Sequence, residues 1–187
     1  MIKDGGAKPD YVRIQDISGS ETANASLIGP YNEGTVITLV CVSSGGKPVA
    51  QLNWYNNSSP LQGQYINMTE ADGTGIGHSQ LTVTLGRGDL GAKLECRALS
   101  PTLDVPMAAW VEVDVHVRPL TWELTGYNAP VLAGSVVNLL CQVKGARPAA
   151  NITWFNGTNE LSPQPSSNLA VQVKYKWLGS WKCSWDS

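Results

Sequence analysis

Histidine is scarce in this chain of 187 residues: only His78 and His116 occur. No Gly-x-Ser-x-Gly elbow, phosphate-cradling loop or histidine-rich cluster accompanies them, so the usual equipment for acid–base, nucleophilic or metal catalysis is missing. His78 is expected in a Gly-rich loop. His116 shares one strand face with Glu112 and Asp114, which is what a solvated sheet face requires, so a non-catalytic protein is expected. Charge is scarce too. Charged residues make up 15% of the chain and the net charge is −2, which gives no electrostatic reason to expect nucleic acid or an acidic membrane as partner. No apolar run reaches the roughly eighteen residues that a membrane-spanning helix needs. The opening "MIKDGGAKPD" lacks the apolar core of a secretory signal. The nearest pair of cysteines lies 42 residues apart, whereas zinc ligands come closely paired. No metal or cofactor is expected.

What the chain does have is a repeat. "CVSSGGKPVAQLNW" at 41–54 and "CQVKGARPAANITW" at 141–154 place a cysteine thirteen residues before a tryptophan, at an offset of 100. Pro30, Gly34, Val36 and Leu39 match Pro130, Gly134, Val136 and Leu139 at the same offset. Gly45, Pro48, Ala50 and Asn56 likewise match Gly145, Pro148, Ala150 and Asn156. A period this long exceeds any solenoid repeat and equals one compact domain. Two modules in tandem are therefore expected: an N-terminal extension over 1–10, a first module over 11–118, and a shorter, incomplete second one over 119–187. Pro119 within "VRPL" marks a short linker.

Side chains alternate with period two in the apolar runs, the signature of strands with one buried face. Ile37, Leu39 and Cys41 share one face, as do Val137, Leu139 and Cys141. Leu52 and Trp54 point one way and Asn53 the other; Ile152 and Trp154 repeat this. Leu81, Val83 and Leu85 alternate, and so do Val111, Val113, Val115 and Val117. Clusters such as "SSGGKP", "NNSSPLQG" and "EADGTGIG" read as turns. No amphipathic helix of useful length is present. The fold class is all-β, as tandem antiparallel sandwiches with the second one incomplete.

The cysteines fall two per module, which suits an oxidising compartment. Cys41 and Cys96 should both point into the gap between two packed sheets, with Trp54 against them, and Trp154 plays that part in the second module. A bridge closing 55 residues stabilises a fold by roughly 4 kcal/mol through lost chain entropy. The Cys…Trp…Cys order is diagnostic of immunoglobulin domains. Cys183 follows Cys141 by 42 residues, a spacing such a domain accepts, although "YKWLGSWKCSWDS" lacks the Asp-x-Gly corner found in "RGDLGAKLEC". Six N-glycosylation sequons, at Asn24, Asn56, Asn57, Asn67, Asn151 and Asn156, exceed chance expectation and point to the same secretory environment. Asn57 is weakened by Pro60 directly after its Ser59. An extracellular or cell-surface location is expected, as a segment of a longer secreted or membrane-anchored protein whose leader and anchor lie outside this chain.

Two features invite other readings. The tripeptide Arg87-Gly88-Asp89 resembles an integrin ligand, but a turn entering the penultimate strand would occupy Asp89 with backbone N–H groups. Tyr175, Trp177, Trp181 and Trp185 suggest a carbohydrate platform, yet Val171, Val173, Tyr175 and Trp177 alternate as a strand that would bury them.

The stretch "LIGPYNEGTVITLVCVSSGGKPVAQLNWYNN", followed by "GRGDLGAKLECRALS", resembles the second immunoglobulin domain of the arthropod Sidestep family of neuronal surface receptors. "VRPLTWELTGYNAPVLAGSVVNLLCQVKGARPAANITWF" is similar to the start of that family's third domain. The resemblance covers roughly residues 11–160, and nephrin-like adhesion proteins share weaker versions of it. It implies a single-pass receptor of several immunoglobulin domains that guides motor axons by binding Beaten-path-type immunoglobulin proteins. Family recognition is attributed mainly to a variable-type first domain, and Leu94 stands where most such domains carry a corner tyrosine. The expected function is adhesion or guidance by protein–protein recognition. A secreted immunoglobulin-type binder, a soluble isoform or an immune recognition protein, is the alternative, as is a nephrin-like cell-adhesion protein.

Overall fold

A computed structural model describes residues 5–126, 132, 134–161, 170–174 and 181–186. The chain divides into two compact units, residues 1–115 and 116–187, three residues earlier than the boundary the linker proline suggested.

The first unit carries ten strands: β1 (Tyr11–Asp16), β2 (Glu21–Thr22), β3 (Ser26–Asn32), β4 (Val36–Gly46), β5 (Gln51–Asn56), β6 (Ser59–Leu61), β7 (Gln64–Thr69), β8 (Gly75–Thr84), β9 (Lys93–Leu99) and β10 (Met107–His116). They form two five-stranded sheets. Sheet I runs β2-β1-β4-β8-β7 and sheet II runs β3-β10-β9-β5-β6. Alternation decides which residues each sheet buries. Ile37, Leu39 and Cys41 on β4 meet Leu52 and Trp54 on β5, Leu94, Cys96 and Ala98 on β9, and Val111, Val113 and Val115 on β10, all buried. Leu81 and Leu85 are buried as the alternation predicts, and Val83 is half-buried. Leu94, in the corner-tyrosine position, is apolar and 1% exposed, packed into the core.

Two local expectations are corrected. The cluster "SSGG" is not a turn: β4 runs through Ser43–Gly46 with a register irregularity there. His78 does not sit in a Gly-rich loop but within β8, opposite Val42 on one side and Ile66 on the other. The glycines around it serve close approach, not turning. A Cβ on Gly77 would lie 3.0 Å from both the Ala50 carbonyl and the Ser43 hydroxyl, and one on Gly75 would collide with the Met68 carbonyl.

The second unit repeats the plan with six strands among the described residues. β11 (Thr121–Thr125), β12 (Val136–Lys144) and β15 (Ala170–Lys174) form one sheet; β14 (Asn159–Leu161), β13 (Asn151–Asn156) and β16 (Trp181–Asp186) form the other. Its buried cluster is Val137, Leu139, Cys141, Ile152 and Trp154, with Leu124 and Val143 packed alongside. Gly45 and Gly145 hold the left-handed backbone at the same point of both units, φ 85° and 80°, a conformation that penalises any Cβ. There a side chain would also strike Asp10 in one unit and crowd Leu120 in the other.

Candidate recognition site

The core fixes the geometry on which any surface stands. Cys41 and Cys96 are disulfide-bonded across the sheets, with Cα atoms 6.3 Å apart and both sulfurs fully buried. Trp54 is 0% exposed, faces Cys96 in register, and donates its indole N–H to the Ser79 carbonyl at 3.1 Å. One indole thereby ties β5 in sheet II to β8 in sheet I. In the second unit Trp154 faces Cys183 in the same register, and Cys141 is disulfide-bonded. The side chain of Cys183 lies outside the described residues, as do those of Tyr175, Trp177, Trp181 and Trp185.

The outward face of sheet II carries the most developed polar arrangement. Lys93, Glu95 and Arg97 alternate with the inward Leu94, Cys96 and Ala98, so they line up on the outer face of β9. Tyr55 of β5 and Trp110 of β10 flank Glu95 directly, one on each side. Arg97 donates to the Glu95 carboxylate at 2.8 Å, and the Lys93 ammonium lies 3.4 Å from its other oxygen. Each cation also covers an aromatic ring: Arg97 sits 4.3 Å from the Tyr55 ring centre and Lys93 4.8 Å from that of Trp110. Such stacking is favourable because the ring face is electronegative. Glu95 is only 8% exposed although it faces outward. Burial pushes its pKa up, but the Arg97 hydrogen bond and the Lys93 charge outweigh this and hold it below the ordinary carboxylate range. Arg97 is raised in turn, chiefly by its hydrogen bond to Glu95. The result is a pre-ordered row of two aromatic rings and three compensated charges. Tyr, Trp and Arg are the residue types that dominate binding energy at protein interfaces. The row was not singled out from sequence. Alternation turns Glu95 and Arg97 outward around the inward Cys96, and Tyr55 outward after the inward Trp54, but it does not make them neighbours; the strand registers do. Glu112, Asp114 and His116 follow on the outer face of β10 as read.

Arg87-Gly88-Asp89 forms a single 3-10 turn between β8 and β9. Asp89 is fully engaged: one carboxylate oxygen accepts the Gly86 N–H at 2.8 Å and the other accepts the Asn56 amide at 2.9 Å. Arg87 lies 3.8 Å from Glu33. The tripeptide thus seals a corner.

The sequons differ in environment. Asn24 is exposed before β3, its carbonyl oxygen accepting the Trp110 backbone N–H at 2.9 Å, which leaves the amide nitrogen turned away from that bond. Asn67 is exposed on β7, an outer strand of sheet I. Asn56 is half-buried, its amide spent on Asp89. Asn57 occupies a left-handed turn position, φ 55°, and binds β9 through both its backbone and its side chain. Asn151 is exposed and Asn156 half-buried at opposite ends of β13.

Two five-stranded sheets, bridged by a buried disulfide with a tryptophan in register beside it, define an immunoglobulin-type sandwich. More particularly, residues 21–106 match the CD80-like C2-set immunoglobulin domain, so the chain carries a C2-set domain. Mouse (Mus musculus) nephrin is 27% identical over 143 residues, covering 72% of this chain and 10% of nephrin. Cell adhesion molecule 2 of Xenopus tropicalis is 31% identical over 139 residues, covering 73% of this chain and 32% of that protein. The chain is thus homologous to adhesion proteins of the immunoglobulin superfamily while spanning a third or less of their length. Among solved structures, the ectodomain of mouse nectin-like molecule 4 shares the fold, with a TM-score of 0.59 at 21% identity, over 94% of this chain and 57% of that one.

Proposed function

We propose that this chain is an extracellular segment of a cell-surface adhesion receptor that acts by protein–protein recognition. The observation that carries the reading is the Tyr55–Glu95–Trp110 row with its two stacked cations. Nothing in the sandwich interior calls for these side chains, and they are ordered before any partner arrives, which lowers the entropic cost of binding. The homology to nephrin and cell adhesion molecule 2 supports the class. The motifs "GPYNEG" and "DLGAKLECRA" support the narrower Sidestep-like reading, with Beaten-path-like immunoglobulin proteins on an opposing cell as partners and axon guidance as the setting. The first unit, bridged by Cys41–Cys96, would then act as a scaffold and docking domain behind any variable-type domain of the parent receptor.

The test is a multimerised form of the chain applied to cells that each display one immunoglobulin-superfamily surface protein, Beaten-path-type proteins included. Binding that falls at least tenfold with Trp110→Ala or Tyr55→Ala is the expected result. Binding unchanged by both substitutions would remove the row from the proposal. Failure to bind any displayed protein would reject the adhesion reading for this segment.

A further inference from the structure

We propose that the outer edge of β7 is a self-association surface, on which a second copy of this chain adds its own β7 antiparallel, and that an N-glycan on Asn67 closes it. The inference stands apart from the adhesion reading, because it concerns the edge of sheet I and needs no other protein.

β7 ends sheet I, with β8 on one side and no strand on the other among the described residues. All six of its residues, Gln64–Thr69, are exposed. Ile66 is 65% and Met68 52% exposed, although both are large apolar side chains. The ladder fixes which backbone groups are free. Leu85, directly after β8, donates its N–H to the Thr35 carbonyl and accepts the Gly34 N–H, so odd-numbered positions there turn toward β4. Groups alternate along an antiparallel strand, so the even-numbered positions of β8 turn toward β7, where they pair with Gln64, Ile66 and Met68. At the hairpin end the Glu70 N–H donates to the Thr74 carbonyl at 2.7 Å, with the same parity. The N–H and C=O groups of Tyr65, Asn67 and Thr69 therefore face the open side.

Proteins guard such an edge with shortness, a lysine, a proline or a bulge. The other edge strands of this unit comply: β2 has 2 residues, β6 has 3, and β3 carries Pro30. β7 does not. Its sequence QYINMT is uncharged and its register with β8 is unbroken. The strand is also complementary to itself. When two copies pair antiparallel about Asn67, Tyr65 meets Thr69, Ile66 meets Met68 and Gln64 meets Glu70, on both sides of a two-fold axis. Every outward backbone group of Tyr65, Asn67 and Thr69 then finds a partner. Aromatic against β-branched and apolar against apolar are favourable cross-strand pairs. Glu70 is set against an amide, not against a second carboxylate. A symmetric pairing of this kind closes at two chains.

The sequon Asn67-Met68-Thr69 supplies the missing guard, since Asn67 is exposed at the middle of the strand. Glycosylation there joins Asn67 Nδ2 to the anomeric carbon of a lipid-pyrophosphate oligosaccharide. The bond from that carbon to the pyrophosphate breaks, and an amide proton departs with the leaving group. In the paired state the two Asn67 side chains stand opposite one another on the same side, Cβ atoms about 5 Å apart. Two branched oligosaccharides anchored so close force the strands apart.

The test uses the full chain, secreted behind a heterologous leader from a host that attaches N-glycans. Sedimentation velocity should find the wild-type chain monomeric. Asn67→Gln, with the other sequons intact, should enter a monomer–dimer equilibrium at least about tenfold tighter than any the wild type shows, in the weak, transient class that a short strand pair allows. Adding either of two substitutions to Asn67→Gln should restore the monomer. Ile66→Lys puts a charge at an exposed position of the pairing strand, and Thr69→Pro removes an outward N–H that β8 does not use. Circular dichroism should show both variants folded. Four results would each overturn the proposal: Asn67→Gln monomeric at millimolar concentration, a dimer that survives both added substitutions, wild-type chain carrying sugar at Asn67 that pairs as tightly as Asn67→Gln, or wild-type chain bare at Asn67 by glycopeptide mapping. None of them involves another cell-surface protein, so failure here leaves the adhesion reading standing.

Discussion

Trp54 and Cys96 stand directly opposite one another on adjacent antiparallel strands, so the indole and the bridged sulfur share one layer of the core. Cys41→Ala with Cys96→Ala should destabilise the first unit by about 4 kcal/mol through the freed chain entropy alone. Trp54→Phe keeps most of the apolar volume but removes the donor to the Ser79 carbonyl. It should cost about 1 kcal/mol, the net contribution of a typical intramolecular hydrogen bond. Urea unfolding followed by tryptophan fluorescence and circular dichroism measures both.

Asp89 is expected to matter for stability and not for cell attachment. Asp89→Ala strips the acceptor from the Gly86 N–H and the Asn56 amide together, a loss of about 2 kcal/mol. Asp89→Glu, with a longer reach, should recover only part of it. Integrin-bearing cells should spread no better on the purified wild-type chain than on the Asp89→Glu variant. Spreading lost specifically in that variant would contradict the corner-sealing role.

Glu95 sets a pH dependence whose direction can be worked out. Its pKa is lower in the folded chain than in the unfolded one, so the folded state binds fewer protons there. The stabilisation is complete above the unfolded value near pH 4.3 and is lost as the pH falls through the folded value. Asp16 and Asp72 titrate in the same direction, held low chiefly by the hydroxyls of Ser18 and Thr74. Glu95→Gln should therefore flatten the acid limb without abolishing it. At neutral pH it should cost about 1 kcal/mol, since Lys93 and Arg97 stay partly hydrated. Thermal melts of both proteins between pH 2 and pH 7 decide this.

Gly75 should resist even the smallest side chain. A methyl group there meets the Met68 carbonyl and approaches Val49 to 2.7 Å. Gly75→Ala should cost about 2 kcal/mol by forcing β7 and β8 apart. Gly88→Ala, where a Cβ meets nothing, should be nearly neutral in the same unfolding assay.

Glycopeptide mapping of the secreted chain should find sugar at Asn24 and Asn67, whose side chains are exposed. Asn56 should remain bare, because its amide nitrogen is held by Asp89 in a half-buried corner. A glycan found at Asn56, with the melting temperature unchanged, would overturn this assignment.

The sandwich was legible because its determinants are local. Period-two alternation placed Ile37, Leu39, Val111 and Val113 correctly, and the cysteine–tryptophan spacing announced the bridged core. What sequence hid was pairing across strands. Nothing near Glu95 in the chain reveals that Tyr55 and Trp110 become its lateral neighbours, since that depends on the registers of three strands distant in sequence. His78 and "SSGG" misled for a related reason. Glycine signals a turn when read alone, yet at Gly77 it makes room for the Ala50 carbonyl and the Ser43 hydroxyl.

In both units a tryptophan faces the second cysteine in the same register, yet the intervening lengths differ, 42 residues from Trp54 to Cys96 and 29 from Trp154 to Cys183. The alignment of these two positions is therefore indifferent to how much polypeptide is looped out between them. A protein engineer could exploit that tolerance at the bend joining β7 to β8, at its exposed residues Glu70, Ala71 and Asp72, by grafting an affinity epitope or a fluorophore-accepting sequence there while the sulfur bridge still forms.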